Sequence, residues 1–263
     1  MKILLFGSNG MLGSYFYNYL KQFYQIVCIT RKEFDVLKSN ILDLDKIFKE
    51  NNCDIVINCI GLIPQRNNQS NYEYIRVNSE FPHLLNGVSQ KYNCHFIHIT
   101  TDCVFDGSKG KYIETDHHTE NGIYGHSKSL GEPLSATVLR TSIIGEEVEN
   151  KKSLLEWVKS QNGNRINGFV NHYWNGVTCL QLAKIVQQII SQNLYWQGVR
   201  HIFSPTYVSK FELVKMISDI YKLQIEIIPL ETKVCDKTLS SKYNIFVIPE
   251  LYEQIQELCF SPI

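Results

Sequence analysis

No stretch of this 263-residue sequence approaches the roughly 18 consecutive apolar residues of a membrane-spanning helix. None of its eight cysteines falls in a Cys-x-x-Cys pair, so their spacing suggests neither a zinc site nor a disulfide framework. Charge of one sign is also missing. The 26 basic residues balance 26 acidic ones, and no global field recruits nucleic acid or an anionic membrane. The amino-terminal apolar stretch Ile3-Leu4-Leu5-Phe6 stops at Gly7, far short of a secretory signal core. These absences set an expectation: a cytoplasmic chain with reduced, mostly buried thiols, no bound metal, and no nucleic-acid or membrane partner.

What is there is an alternation of strand and helix signals. Apolar runs at 2–6, 25–29, 54–60, 95–100 and 138–141 are separated by helical periods at 11–21, 43–50, 75–91 and 123–133. Short, almost wholly apolar strands divided by helices imply a parallel sheet covered on both faces. The expected fold class is therefore α/β, a doubly wound parallel sheet of the Rossmann type. After about residue 145 the pattern loosens. Helices are expected at 152–160, 179–192, 209–221 and 249–258, and strands at 199–203 and 224–229. This divides the chain into a dinucleotide-binding domain, 1–145, and a smaller α+β substrate region, 146–263, partly interleaved with the sheet. Ser209 is placed as a helix N-cap after the 205–209 loop.

Four motifs carry chemistry. Gly7-Ser8-Asn9-Gly10-Met11-Leu12-Gly13 follows the first strand and opens a helix. Gly7 permits the tight turn, Gly10 lets backbone approach a pyrophosphate, and Gly13 allows close helix–strand packing. The second strand ends in Thr30-Arg31-Lys32, with no acidic residue to hold ribose hydroxyls. Arg31 and Lys32 would meet a 2′-phosphate, which favours NADPH and leaves NADH as the alternative; a solvated basic turn is the plain reading. Tyr124 and Lys128 lie four apart on one helix face. There the ammonium is expected to lower the phenol's pKa for proton exchange with a carbonyl. The run Thr100-Thr101-Asp102-Cys103-Val104-Phe105-Asp106-Gly107 ends the fourth strand, where ligands of doubly wound sheets bind, and a hydroxyl there can polarise the same carbonyl. His117 and His118 suggest surface, since no third ligand accompanies them. The stripe Leu251, Ile255 and Leu258 of the tail helix is expected in the core or against a partner.

Together these features resemble the extended short-chain dehydrogenase/reductase superfamily and, within it, the dTDP-4-dehydrorhamnose reductase family. The matching pieces are GSNGMLG, the NCIG strand end, RVN at 76–78, TTDCVFDG, YGHSK-x-x-GE, LRTS at 139–142, NGVT and SPTYVSKFEL. The resemblance implies that Thr101, Tyr124 and Lys128 are catalytic, with Asn78 in support. It implies that Gly7, Asn9, Gly10, Met11 and Leu12 contact the dinucleotide, and that Cys59, Ile60 and Gly61 line its track, with Tyr124 and Lys128 reaching the nicotinamide end. The implied substrate is a nucleotide-activated 4-keto-6-deoxy sugar, reduced by NADPH; a homodimer is left open.

One departure matters. Sugar-nucleotide 4,6-dehydratases carry Thr-Asp-Glu here, whereas Thr101-Asp102 is followed by Cys103, which argues against dehydration. The Cys is similar to that of GDP-fucose synthase, where it acts as an acid/base. Cys103 would then shuttle a proton before reduction, or simply fill space. Lys151, Lys152 and His172 are the candidate counter-bases by position. Two rival readings are a non-catalytic dinucleotide-binding regulatory subunit and an NAD-retaining sugar-nucleotide epimerase.

Overall fold

The computed structural model describes residues 1–64, 69–149, 151–243 and 245–261. Six parallel strands form the central sheet. Their spatial order is Gly198–His201, Thr137–Thr141, His95–Thr101, Ile55–Asn58, Lys2–Phe6 and Gln25–Ile29. The chain starts one strand in from an edge, steps outward to 25–29, then crosses to the other side at 55–58. A crevice must open at that reversal, at the carboxyl ends of the strands Lys2–Phe6 and Ile55–Asn58.

Strict alternation makes the two faces. Ile3, Leu5, Ile55, Ile57, Ile97, Ile99 and Leu139 point into one core with Leu12, Tyr15, Phe16 and the helix Cys179–Ser191. Leu4, Phe6, Val56, Phe96 and Val138 point into the other with Phe48, Val77, Phe81 and Leu85. This is the period-two pleat with both faces covered, the reason the strand sequences read as continuous apolar runs. The parallel sheet and its helical layers match the expected fold class.

Three local outcomes differ from the pattern or extend it. The helix expected at 75–91 begins earlier, at Asn71–Ile75, passes through one π-helical turn at Arg76–Glu80, and continues as Phe81–Lys91. The sixth sheet strand, 198–201, comes from the second half of the chain, two residues shorter than its apolar run at the far end. The looser second half also holds short strands that periodicity did not mark. Arg165–Phe169 pairs with Glu226–Leu230, the strand expected at 224–229, and His172–Trp174 pairs with both Val208–Ser209 and Cys235–Asp236. The strands of two or three residues are too short to show a period. Ser209 does cap the helix Lys210–Ile220, in a reciprocal capping box with Glu212.

Arg140 is the largest fully buried side chain. Its Nε donates to Glu132 at 3.0 Å and a second nitrogen bonds the other carboxylate oxygen. Two further guanidinium N–H groups donate to His201 Nε2 at 2.9 Å and His118 Nε2 at 2.7 Å. Both imidazoles must be neutral to accept. His201 Nδ1 then carries the proton and donates to the Ser240 carbonyl at 2.7 Å. Burial, helped by the Arg140 charge, pushes His201 down to about 4. A depressed histidine adds stability that is complete above its unfolded pKa of about 6.5 and lost as pH falls through about 4. We expect the chemical-denaturation midpoint to drop between pH 6.5 and 4, and the drop to shrink in His201→Gln. Glu132→Gln leaves Arg140 buried without a counter-charge and should cost about 3–5 kcal/mol in the same measurement at pH 7.

Candidate active site

The glycine turn shapes one wall of the crevice. Gly7 sits at φ +82°, a left-handed conformation that favours glycine, and a Cβ there would lie 3.0 Å from Ile60 Cγ1 and 3.1 Å from the Cys59 carbonyl carbon. The turn is thus pressed directly against the Cys59-Ile60-Gly61 segment. A Cβ on Gly13 would lie 2.1 Å from the Gly7 carbonyl oxygen, so the helix Met11–Leu20 approaches the strand end as closely as backbone permits. That helix starts at Gly10 with no side-chain cap and no acidic residue in its first turn. Its free N–H groups and dipole are left for an anion. The expected Leu12 contact is narrower than a whole residue: its side chain is buried in the core, so only its backbone can face the crevice. Asn9 is exposed, with its amide oxygen 3.5 Å from Ser8 Oγ. Arg31 is exposed beyond the end of the second strand, the neighbour of the glycine turn, where Gly7 N–H bonds the Ile29 carbonyl.

The opposite wall is polar and buried. Asn58 Oδ1 accepts from Ile60 N–H at 3.0 Å, fixing the strand exit. The π-helical turn brings Asn78 inward, where its amide brackets Leu62: Oδ1 accepts from Leu62 N–H at 2.8 Å and Nδ2 donates to Leu62 O at 3.0 Å and Ser127 Oγ at 3.1 Å. Ser79 adds a bond to the Ser127 carbonyl at 2.7 Å. These bonds lock the helix Ile123–Leu130 onto the crevice and with it the Tyr-x-x-x-Lys pair. Gly131 finishes the fit; a Cβ there would lie 1.7 Å from Asn78 O.

Lys128 is buried, and its ammonium donates to Ile99 O at 3.1 Å while lying close to Gly61. Burial pushes it down to about 8, against the pull of Glu132 and Cys59. Tyr124 lies at the crevice rim. Its phenol is pushed up, first by burial and then by Cys103, with the Thr101 hydroxyl pulling the other way. This reverses the sequence expectation: desolvation dominates, and Lys128 directs its ammonium at a backbone carbonyl. Thr101 Oγ1 donates to Asp102 Oδ1 at 3.1 Å and accepts from Cys103 N–H at 3.1 Å. The Cys103 thiol is pushed up to about 12 by burial and by Asp102, so it is neutral at pH 7.

Two groups were not singled out as site residues in the sequence. Lys210 and Lys237 both face Asp102 and Cys103, and each pulls the Asp102 carboxyl down against the burial that raises it. Lys237 also donates to Glu120 at 3.2 Å, whose carboxylate accepts from the N–H groups of Asn121 and Gly122 at the start of the Tyr124 helix. The segment carrying Lys237 is zipped to the loop after Cys103. Asp236 N–H donates to Gly107 O at 2.7 Å, Tyr112 N–H to Thr238 O at 2.9 Å, and Ser240 N–H to Tyr112 O at 2.7 Å. Gly107 and Gly110, both at positive φ, leave the room that Cys235 and Asp236 occupy.

The other expected residues do not converge on Cys103 in the same way. His172 stacks on Phe169 and hydrogen-bonds Thr232 at 2.8 Å, in a hollow of about 380 Å³ shared with Asp106 and Cys235. Lys152 N–H is held by Glu147, and Lys151 is an exposed residue at φ +43°. His118 is not simple surface, since it is half-buried against Arg140 and Ser129. Leu251, Ile255 and Leu258 lie in the core. Among the described residues no helix is long and apolar enough to cross a membrane.

Comparison with known proteins agrees with this geometry. A dTDP-4-dehydrorhamnose reductase of Aggregatibacter actinomycetemcomitans is 28% identical over 250 residues, covering 87% of this chain and 83% of that protein. One of Burkholderia thailandensis is 34% identical over 134 residues, covering 50% of this chain and 44% of the relative's length. Among solved structures, the dTDP-4-dehydrorhamnose reductase of Bacillus anthracis in complex with NADP superposes with a TM-score of 0.84 at 20% identity, covering 98% of both chains. A family model described as the RmlD substrate binding domain matches residues 1–240, and the chain therefore belongs to that family.

Proposed function

We propose that this chain is an NADPH-dependent reductase of a nucleotide-activated 4-keto-6-deoxy sugar. The observation that carries the reading is one juxtaposition. The uncapped helix start behind Gly7–Gly10 and the Thr101, Tyr124 and Lys128 side chains belong to the carboxyl edge of the same sheet, around the crevice where its strand order reverses. The names of the relatives supply the substrate class, and the NADP held by the Bacillus anthracis structure supports the cofactor.

The residues present fit a dinucleotide. The cradle at Gly7 and Gly10 has no side chains, the first helix turn is free of acidic groups, and Arg31 stands beyond the second strand for a 2′-phosphate. When bound, the cofactor supplies the hydride. Lys128, with one N–H spent on Ile99 O, has two left for ribose hydroxyls. The raised pKa of Tyr124 keeps its phenol protonated at neutral pH, the state required to donate a proton to the oxygen of a reduced carbonyl. Thr101 can join that oxygen by turning its hydroxyl proton away from Asp102, while Cys103 N–H still holds the side chain in place.

Epimerisation before reduction is a second reading, favoured by the thiol of Cys103 beside the phenol. That thiol is protonated at neutral pH and flanked by the Lys210 and Lys237 ammonium groups, so it acts as proton donor in this scheme. Lys237 and Lys210 are basic groups whose charges act on Cys103 in this scheme.

We expect Tyr124→Phe to lower kcat by about 10²–10⁴-fold with NADPH affinity retained, read as loss of NADPH absorbance on a panel of 4-keto-6-deoxy sugar nucleotides. NADPH binding without consumption by the unmodified protein on every substrate would favour the regulatory-subunit reading. Cys103→Ser should retain reduction of substrates that need no inversion and lose the epimerised product, judged by product NMR. The pH dependence follows from Lys128. Its ammonium persists below about 8 and is lost above it, so kcat/KM should fall as pH rises through about 8. In Lys128→Met that fall should disappear.

A further inference from the structure

We propose that Cys53 and Cys94 are a redox pair, closed to a disulfide by a hydroperoxide and reopened by a thiol. Their sulfurs lie 3.3 Å apart, and the Cys94 sulfur is 3.0 Å from the Cys53 carbonyl oxygen. No other two cysteine sulfurs among the described residues are in hydrogen-bond contact. The two residues precede neighbouring sheet strands, Ile55–Asn58 and His95–Thr101, and the backbone there is pinned by His95 N–H on Asp54 O at 3.0 Å and Asp54 N–H on Lys2 O at 2.9 Å. Cys53 lies just outside its strand, where alternation no longer applies, and both thiols fall in the same core layer as Val56 and Phe96.

The pair is reachable. Cys94 borders a solvent-facing hollow of about 450 Å³ walled by His95, Phe96, Ala136, Tyr195 and Trp196. That volume admits a small peroxide easily. The two sulfurs are also unequally placed. Cys94 lines the hollow and Cys53 does not, so Cys94 is the sulfur that a peroxide meets first and the attacking one.

The step balances as follows. The Cys94 sulfur attacks a peroxide oxygen, the O–O bond breaks, and Cys94 becomes a sulfenic acid as the first water departs. The Cys53 sulfur then attacks Cys94, the S–O bond breaks, and hydroxide leaves with the Cys53 proton as a second water. Two thiols are oxidised by two electrons and one hydrogen peroxide is reduced to two waters. The sulfurs need to close from 3.3 Å to about 2.05 Å, within reach of side-chain rotation. Both cysteines lie at the amino edge of the sheet and Thr101 at its carboxyl edge, so closure leaves the crevice in place. Its consequence is stability rather than catalysis, since the bond closes a long loop of the unfolded chain.

The test uses the whole reduced protein and hydrogen peroxide near stoichiometry, followed by thiol counting under denaturing conditions and peptide mapping. We expect free thiols to fall by two from eight, with a Cys53–Cys94 cross-linked peptide and a Tm several degrees higher. Dithiothreitol should reverse all three. Cys53→Ser should instead arrest Cys94 as a sulfenic acid trapped by a 1,3-diketone. Retention of all eight thiols, a cross-link elsewhere, or stable over-oxidation of Cys94 in the unmodified protein would overturn the proposal. None of these readouts depends on the reductase reading.

Discussion

The buried ion pair of Arg140 with Glu132 is the interaction on which the assembly of the crevice depends. A guanidinium taken out of water must have its N–H groups satisfied, and here the bonds reach three different segments: the Glu132 turn, the His118 loop and the His201 strand end. His201 passes the constraint on to Ser240, in the strap that carries Lys237 back to Cys103. One desolvated charge thus ties the dinucleotide side of the sheet to the segment that covers the other rim. Glu132 also faces Lys128 from just beyond the end of the same helix and lifts its pKa against burial. The same carboxylate therefore serves both the scaffold and the chemistry.

Desolvation sets the character of the site more than charge pairing does. It raises Tyr124 and Cys103, lowers Lys128 and Lys210, and raises Asp102 despite two facing ammonium groups. A phenol and a thiol that both keep their protons suit a site that donates protons to a carbonyl as hydride arrives.

How much of this was legible in the sequence can be judged from particular residues. GSNGMLG could be placed because each glycine answers to a local backbone demand, Gly7 by its positive φ and Gly13 by the close approach of its helix to the Gly7 carbonyl. Tyr124 and Lys128 could be put on one helix face by spacing alone. The π-helical turn at 76–80 was not visible, because a single widened turn leaves the apolar period nearly unchanged, yet it directs Asn78 inward. Lys237 had no signal at all. It lies in irregular chain, and its approach to Cys103 is created by backbone bonds to Gly107 and Tyr112 that no periodicity encodes.

The sequence by itself determined the α/β layering, the glycine cradle, the Tyr–Lys helix and the hydroxyl at the strand end. Each of these rests on interactions between residues near one another in the chain, where pleat, helical pitch and turn sterics act. The tertiary structure alone decided the direction of the Tyr124 shift, the lysines around Cys103, the Arg140 knot and the meeting of Cys53 with Cys94. Those depend on burial and on contacts between segments distant in sequence, and neither the depth of a group nor its partner across a sheet is set by local spacing.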